Sequence, residues 1–366
     1  MKTVLFVTGE VSGDLHAGNV ALKMKKNMPD LNMFAMGGKY LKKAGCKIIF
    51  SIEKIGVVGF VEVLFKYFLI RKAMNLVFDF ILKKKPDLVV LTDYPGFNLR
   101  LAKKIKKRVS SVKIVYYISP QLWAWNYNRI KLIKKYVDYV VVILPFEKKI
   151  YDKEKIPCRY FGHPLAEIVK PDLKLQDKYN KTILFMPGSR THEIKSHLPF
   201  MKRLALSLKK LDNNFRFLLS VADSVDIKLF EGIKKSDLFS IVRNAPFHKA
   251  SFVVAASGTA TLEATLAMKP CVVLYKLNFI SWILFKILAK TEFISLTNII
   301  LRKRVLPEFI GPVLNIKRVL NEILLLMDEK RKDNFIVESK RLRSLLFKRN
   351  SWENTAKFFL RLIYGS

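Results

Sequence analysis

A chain of 366 residues, 51% of them hydrophobic, is too long for one ordinary domain and too apolar to be disordered, and two domains fit it best. Its 66 Lys and Arg against 30 Asp and Glu leave a net charge of +36, which predicts attraction to something anionic: nucleic acid, an acidic membrane surface or a phosphorylated substrate. Drift of an AT-rich coding sequence toward Lys yields the same excess, so the charge alone does not choose among them. Cys46, Cys158 and Cys271 are odd in number, far apart and in no metal-ligand spacing, which fits a reducing compartment. The run Met1–Gly9 lacks the long apolar region and cleavage site of a signal peptide. The two most apolar stretches, Val57–Ile70 and Val272–Ala289, are interrupted by Glu62 and Lys66 and by Lys276 and Lys286, so neither is expected to span a bilayer.

The first half alternates short apolar runs with helical patterns. Strands are expected at Thr3–Thr8, Asp87–Thr92, Lys113–Ile118 and Tyr139–Ile143, and helices at Asp14–Asn27 and Leu99–Arg108. The polar stretch Pro171–Lys181 reads as a linker, after which the pattern restarts. A strand at Thr182–Met186 precedes a helix at Leu198–Leu211. Further strands follow at Phe215–Val221, Phe252–Ala256 and Cys271–Tyr275, the last two with a helix between them. The class is therefore α/β with parallel sheets, divided into an N-terminal domain over 1–170 and a second over 171–339. Lys340–Ile363 reads as one strongly basic helix, within a segment 340–366 that folds back on the first domain or pairs with a second copy. In such doubly wound sheets ligands bind beyond the carboxyl ends of the strands, so a cleft between the halves is the expected site.

Five blocks sit where that rule puts chemistry. Gly9–Gly18 follows the first strand; glycines let backbone N–H groups approach an anion, though a plain tight turn needs them too. Thr92-Asp93-Tyr94-Pro95-Gly96-Phe97-Asn98 ends the Asp87–Thr92 strand. Asp93 there either takes a proton from an attacking hydroxyl or caps the following helix. Ser119–Trp125, followed by Arg129, offers aromatic faces to a sugar or acyl chain, or simply packs. Pro187-Gly188-Ser189-Arg190 opens a loop from which a guanidinium reaches a phosphate. His192 and His197, five apart, share no helical face and are not read as a metal pair. In Ser257-Gly258-Thr259, a helix start offers N–H groups to a phosphate, with Glu263 about one turn on. Glu263 binds a ribose hydroxyl pair or compensates the helix dipole. Between the first two blocks, Val57–Lys72 places Phe60, Val61, Leu64, Phe65, Phe68 and Leu69 at helical spacing before Arg71 and Lys72. This stripe suits either an interfacial membrane segment, extended by Phe279–Leu288, or a buried core helix.

Taken in order, GEVSGD, GVVGFVEVL, TDYPGFN, SPQLWAW, LPFEKKIYDKEKIPCRYFGHP, PGSR, SGTATLE and SLTNII resemble the lipid-A-disaccharide synthase family over nearly the whole chain to about Gly311. The resemblance implies the GT-B fold, two Rossmann-like domains whose parallel sheets face an interdomain cleft, with no metal and no cofactor. It implies an inverting glycosyltransferase that joins UDP-2,3-diacylglucosamine to 2,3-diacylglucosamine 1-phosphate (lipid X) through a β-1,6 bond at the cytosolic face of the inner membrane. It carries Asp93 onto the family's proposed base, Arg190 onto its phosphate-binding arginine and Glu263 onto its ribose carboxylate. Asn298 joins Asp93 and Arg190 as catalytic, although Thr297 stands where the family usually has Pro. Ser12, Gly13, Gly188, Ser189, Ser257, Gly258 and Thr259 complete the UDP-sugar contacts. A homodimer through the C-terminal helix is the arrangement left open, and nucleic acid is not expected as a partner. The rival readings are another UDP-N-acetylglucosamine enzyme of this fold, of the peptidoglycan transferase or 2-epimerase kind, and a basic RNA-binding protein.

Overall fold

The computed structural model describes residues 1–53, 63–124, 126–172, 181–222, 225–234, 237–288 and 291–365. The chain divides into two compact units, one of Met1–Glu167 with Phe347–Ser366 and one of Ile168–Leu346.

The N-terminal unit holds seven strands: β1 (Thr3–Val7), β2 (Asn32–Gly37), β3 (Lys47–Ser51), β4 (Leu88–Thr92), β5 (Lys113–Tyr117), β6 (Tyr139–Val142) and β7 (Cys158–Tyr160). They pair in parallel in the order β3-β2-β1-β4-β5-β6-β7. Central strands are apolar at nearly every position, the exceptions being terminal residues such as Thr3, Thr92 and Lys113, because helices cover both sheet faces. Along β1, Leu5 and Val7 enter one core cluster while Val4 and Phe6 enter the other, the period of two that a strand imposes. The second unit repeats this scheme with β8 (Thr182–Met186), β9 (Arg216–Val221), β10 (Ser240–Arg243), β11 (Phe252–Ala256), β12 (Cys271–Lys276) and β13 (Glu308–Gly311), in the parallel order β10-β9-β8-β11-β12-β13. Ile183 and Phe185 face one cluster, Leu184 and Met186 the other.

Two helices differ from the sequence reading. The helix expected at Leu198–Leu211 starts two turns earlier, at Thr191, and holds Pro199 inside it. Proline removes one backbone bond, but Ile194, Leu198, Met201, Leu204 and Leu208 bury one continuous face across the break. The single helix expected over Lys340–Ile363 is two, Glu329–Leu346 and Ser351–Tyr364, separated by a turn with Asn350 left-handed at φ 59°. The first belongs to the second unit and the last to the N-terminal unit. Glu167 accepts from the Ser351 N–H at 2.9 Å, and Ala356, Phe359 and Ile363 pack with Val115 and Tyr117. The apolar face of this last helix is thus covered by its own chain, and pairing with a second copy is not needed to bury it. Of the expected linker, residues 173–180 lie outside the described residues. Asp172 already belongs to the second unit, its carboxylate 3.1 Å from the Lys269 ammonium.

Candidate active site

Each sheet changes direction of strand addition once, between β1 and β4 in the first and between β8 and β11 in the second. At such a switch point two neighbouring carboxyl-end loops part and leave a crevice for ligand. The four loops leaving these strands are the Gly9–Gly13, Asp93–Pro95, Pro187–Arg190 and Ser257–Thr259 blocks. Motifs 80 or so residues apart in sequence therefore stand side by side within each unit, since β1 pairs with β4 and β8 with β11.

In the N-terminal unit the first loop presses on the second. A side-chain carbon at Gly9 would lie 2.2 Å from the Tyr94 ring, so only glycine fits. Gly13 is buried against Thr92 and Asp93, and Ser12 is exposed in the first turn of the helix Val11–Asn27. Asp14 is structural: its buried carboxylate accepts from the N–H groups of Gly38 at 2.7 Å and Tyr40 at 2.9 Å, and burial raises its pKa. His16 is buried too, which lowers its pKa to about 4 and leaves it neutral at pH 7.

Asp93 and Tyr94 are both left-handed, at φ 49° and 46°, a conformation costing roughly 1–2 kcal/mol per ordinary residue. Pro95 closes the right-handed region to Tyr94, and it then starts the helix Pro95–Arg108. Two groups hold the strained turn. The Tyr116 hydroxyl donates to the Asp93 carbonyl at 2.7 Å. The buried Asn98 amide donates to the carbonyls of Asp93 at 2.7 Å and Thr92 at 3.1 Å. The helix is capped at Tyr94, with no side-chain cap bond, so Asp93 is not its cap. That removes the helix-cap reading of Asp93. A carboxylate on an over-determined, strained strand end is the arrangement functional sites use.

In the second unit Gly188 is left-handed at φ 119° and lies against Glu193. Glu193 Oε2 accepts from the N–H groups of Ser189 at 3.1 Å and Arg190 at 3.3 Å. The N–H groups of Ser189 and Arg190 are thus taken by a carboxylate, whose other oxygen lies 3.5 Å from the half-exposed Arg190 guanidinium, while Gly188 supplies the turn. His197 fastens the loop rather than binding anything, its ring bridging the Glu193 carbonyl at 2.8 Å and the Lys276 N–H at 3.0 Å. Ser257 is also spent internally, its N–H on Leu274 at 3.1 Å and its hydroxyl on Ile294 at 3.2 Å. The anion-facing part of this loop is Gly258 and Thr259, both exposed at the start of the helix Thr259–Leu266, whose first N–H groups have no intrahelical acceptor. Glu263 sits one turn in. Its carboxylate is partly buried with no hydrogen-bond or ion-pair partner among the described residues, and desolvation raises its pKa to about 7. Glu263 also lies beyond the first turn of the helix, where the pull of the dipole has fallen off, which counts against the dipole reading.

Asn298 is corrected more strongly. It is fully buried: its amide nitrogen donates to Leu306 O and Glu308 Oε1, and its oxygen accepts from Val305 and Leu306 N–H, all at 2.8 Å. All four hydrogen-bonding positions are filled by protein, which leaves none for substrate. Asn298 positions the segment that carries Glu308, and Glu308 in turn holds Ile294 and Ser295 beside Ser257. Thr297, standing where proline is usual, bonds the Thr265 hydroxyl at 2.9 Å.

Phe60 and Val61 lie outside the described residues, as do the side chains of Leu64 and Phe65, although these two fall in the helix Val63–Lys84. Further along, Ala73, Val77 and Ile81 are core, while Tyr67 and Phe68 are 58% and 60% exposed and Leu69 is half-buried. In the second unit the helix Phe279–Leu288 exposes Phe279, Ile280, Ile283 and Ile287. Trp123 packs edge-on against Phe146 and donates to the buried Glu147, so it anchors its loop rather than offering a platform; Trp125 is outside the described residues. Among the described residues no helix is long and apolar enough to cross a membrane, and no His, Cys, Asp and Glu side chains group as a metal site.

Two parallel Rossmann-like units with paired ligand loops at each switch point define the GT-B architecture of nucleotide-sugar enzymes. The fold is shared with the solved Staphylococcus aureus MnaA–UDP co-structure (TM-score 0.67, 14% identity, 99% of this chain and 98% of that one). It is shared also with a UDP-GlcNAc 2-epimerase from Neisseria meningitidis bound to UDP-GlcNAc (TM-score 0.63, 13% identity, all of both chains). At such identities the likeness is one of architecture alone. The family model for lipid-A-disaccharide synthetase matches residues 4–360. A lipid-A-disaccharide synthase of Coxiella burnetii is 35% identical over 376 aligned residues, covering 100% of this chain and 99% of that one. The chain belongs to the lipid-A-disaccharide synthase family, and is thus a glycosyltransferase of lipid A biosynthesis.

Proposed function

We propose that the protein transfers the sugar of UDP-2,3-diacylglucosamine to the 6-hydroxyl of 2,3-diacylglucosamine 1-phosphate (lipid X), with inversion, to give a β-1,6-linked disaccharide 1-phosphate and UDP. The observation that carries this reading is Asp93, held on a strained strand end by Asn98 and Tyr116 beside the Gly9–Gly13 loop. Asp93 takes the proton from the acceptor hydroxyl as its oxygen bonds to the donor's anomeric carbon. The bond from that carbon to the diphosphate breaks, and UDP leaves with the electron pair. Negative charge developing on the diphosphate is met by Arg190 and the Gly258–Thr259 helix start, each well-placed donor contributing about 3–4 kcal/mol in comparable sites. Glu263, ionised on binding, accepts from the ribose hydroxyl pair. Asn298 acts indirectly, through the Glu308 segment.

Both substrates carry acyl chains, and both units expose apolar helix surface, Tyr67 and Phe68 in one and Phe279, Ile280 and Ile287 in the other. With the basic surface, this supports peripheral attachment to the cytosolic face of the inner membrane through Phe60–Leu69 and the Phe279–Leu288 helix. The test is mass-spectrometric detection of tetraacyl-disaccharide 1-phosphate after incubating the purified protein with both substrates on vesicles. Its formation is expected; a product only from unacylated UDP-sugars overturns the reading.

A further inference from the structure

A cavity of about 290 Å³ opens in the N-terminal unit between the first turns of the helices Pro95–Arg108 and Arg129–Tyr136. Its polar wall is Arg100, Arg129, Asn126 and Asn128, and its apolar wall includes Leu99 and Leu132. Among the described residues that line it there is no carboxylate, and two guanidinium groups, those of Arg100 and Arg129, stand in its wall. Among the described residues the side chains of Arg100, Asn126 and Asn128 make no hydrogen bond or ion pair. Asn128 stands at the helix-cap position yet makes no cap bond. The backbone N–H groups of Arg129, Ile130 and Lys131 are already spent on the carbonyls of Asn126, Tyr127 and Asn128, so the cavity's donors are side chains.

Its place ties it to the reaction. Gly96 lines it three residues beyond Asp93, within roughly 11 Å along the chain. The Asp93 carboxylate and the Arg129 guanidinium both act electrostatically on the phenol of Tyr116, which itself bonds the Asp93 carbonyl. Planar forks such as Arg100 and Arg129 match the oxygens of a phosphate monoester, which carries more charge than a phosphodiester and has three free oxygens. The apolar wall suits a ligand that is amphiphilic rather than a free anion.

We infer that the Arg100–Arg129 cavity is the seat of the acceptor's anomeric phosphate, and that it makes the enzyme select a phosphorylated over an unphosphorylated diacyl sugar. The inference rests on the transferase reading and names the acceptor subsite of that same reaction. Phosphate held there anchors one end of the acceptor ring while its hydroxyl reaches Asp93.

The experiment compares kcat/KM for 2,3-diacylglucosamine 1-phosphate and its dephosphorylated form, in wild type and in Arg100→Gln, Arg129→Gln, the double variant and Arg129→Lys. Wild type is expected to prefer the phosphorylated acceptor by 100-fold or more. Each glutamine variant raises acceptor KM about tenfold, the double variant brings the preference within about threefold of parity, and lysine restores part of it. UDP affinity and Tm, measured alongside, stay near wild type and establish that the variants are folded. Equal use of both acceptors by wild type overturns the inference without any variant, and so does an unchanged preference in the folded double variant. Loss of vesicle binding with preference intact reassigns the cavity to phospholipid headgroups. No disaccharide from either acceptor in wild type sinks the transferase reading itself, and the inference with it.

Discussion

The two units build the same sheet and put paired loops at the same topological point, but they arm those loops by different means. In the N-terminal unit the reactive carboxylate sits on a backbone forced left-handed at two successive residues and clamped by Asn98 and Tyr116. In the second unit the two loops turn on Gly188 and Gly258, which take positive φ without strain, and the stored cost is electrostatic: a carboxylate at Glu263, unpartnered among the described residues, with its pKa raised to about 7. The first arrangement fixes a direction, as proton transfer to one oxygen requires. The second keeps a charge partly desolvated until a ligand's hydroxyls satisfy it. On the proposed mechanism, geometry is held on the acceptor side and binding free energy on the nucleotide side.

The largest effect expected from this contrast is in Asp93→Asn. Asparagine tolerates the left-handed turn, so the fold is retained while the proton acceptor is lost, and turnover falls by ~10² or more. Near-normal turnover would remove Asp93 from the base role.

Glu263→Gln probes the other unit and should weaken UDP binding by about tenfold, measured by calorimetry. It should also stabilise the free protein, by an amount that grows with pH. A carboxyl whose folded pKa is raised keeps its proton longer when folded. Folding is therefore unpenalised below about 4.5, and the penalty grows to its full value above about 7, on the order of 3 kcal/mol. The variant's Tm should exceed wild type at pH 8 and match it near pH 4. A variant no more stable at pH 8 means the charge is not desolvated.

Asn98→Ala leaves Asp93 in place but frees the Thr92 and Asp93 carbonyls. A loss of roughly 1–3 kcal/mol in denaturant unfolding is expected, with lower kcat and unchanged UDP affinity. A kcat equal to wild type shows that the clamp is only structural.

The smallest effect separates the units by acid. His16 and His163 are buried and neutral in the N-terminal unit, their pKa values lowered by burial to about 4 and about 3. Unfolded, each takes up a proton near 6.5, so the stability they allow is present above that pH and is lost progressively as pH falls toward 4. Hydrogen exchange followed from pH 7 to 4.5 should show protection falling first around β1 and β7; an earlier loss around β8 and β11 contradicts this.

The strands that position the site were legible because each is a short run, apolar but for a terminal threonine in two of them: Leu88–Thr92, Thr182–Met186 and Phe252–Ala256 are buried throughout. Edge strands such as Lys47–Ser51 and Cys158–Tyr160, half-polar and short, carry no such signal. The motif loops were legible as glycine- and proline-rich turns at strand ends, and Asp93, Arg190 and Glu263 as charges within them. What their neighbours do was not. Nothing in the order Ser-Leu-Thr-Asn shows that Asn298 spends every hydrogen bond on residues 305–308. Nor does Pro-Gly-Ser-Arg show that Glu193 takes the N–H groups of Ser189 and Arg190. Asn98 and Tyr116 went unseen because clamping a carbonyl is a tertiary act, performed in the second case from a different strand. Arg129 was visible beside the tryptophans, but its cavity exists only once two helices lie next to each other.

The division of labour is tested most directly by titrating UDP into Asp93→Asn and Arg190→Ala side by side in a calorimeter. The account predicts a wild-type Kd for Asp93→Asn and a Kd at least tenfold weaker for Arg190→Ala, about 1.4 kcal/mol. Equal loss in both variants, or UDP binding untouched by Arg190→Ala, contradicts it.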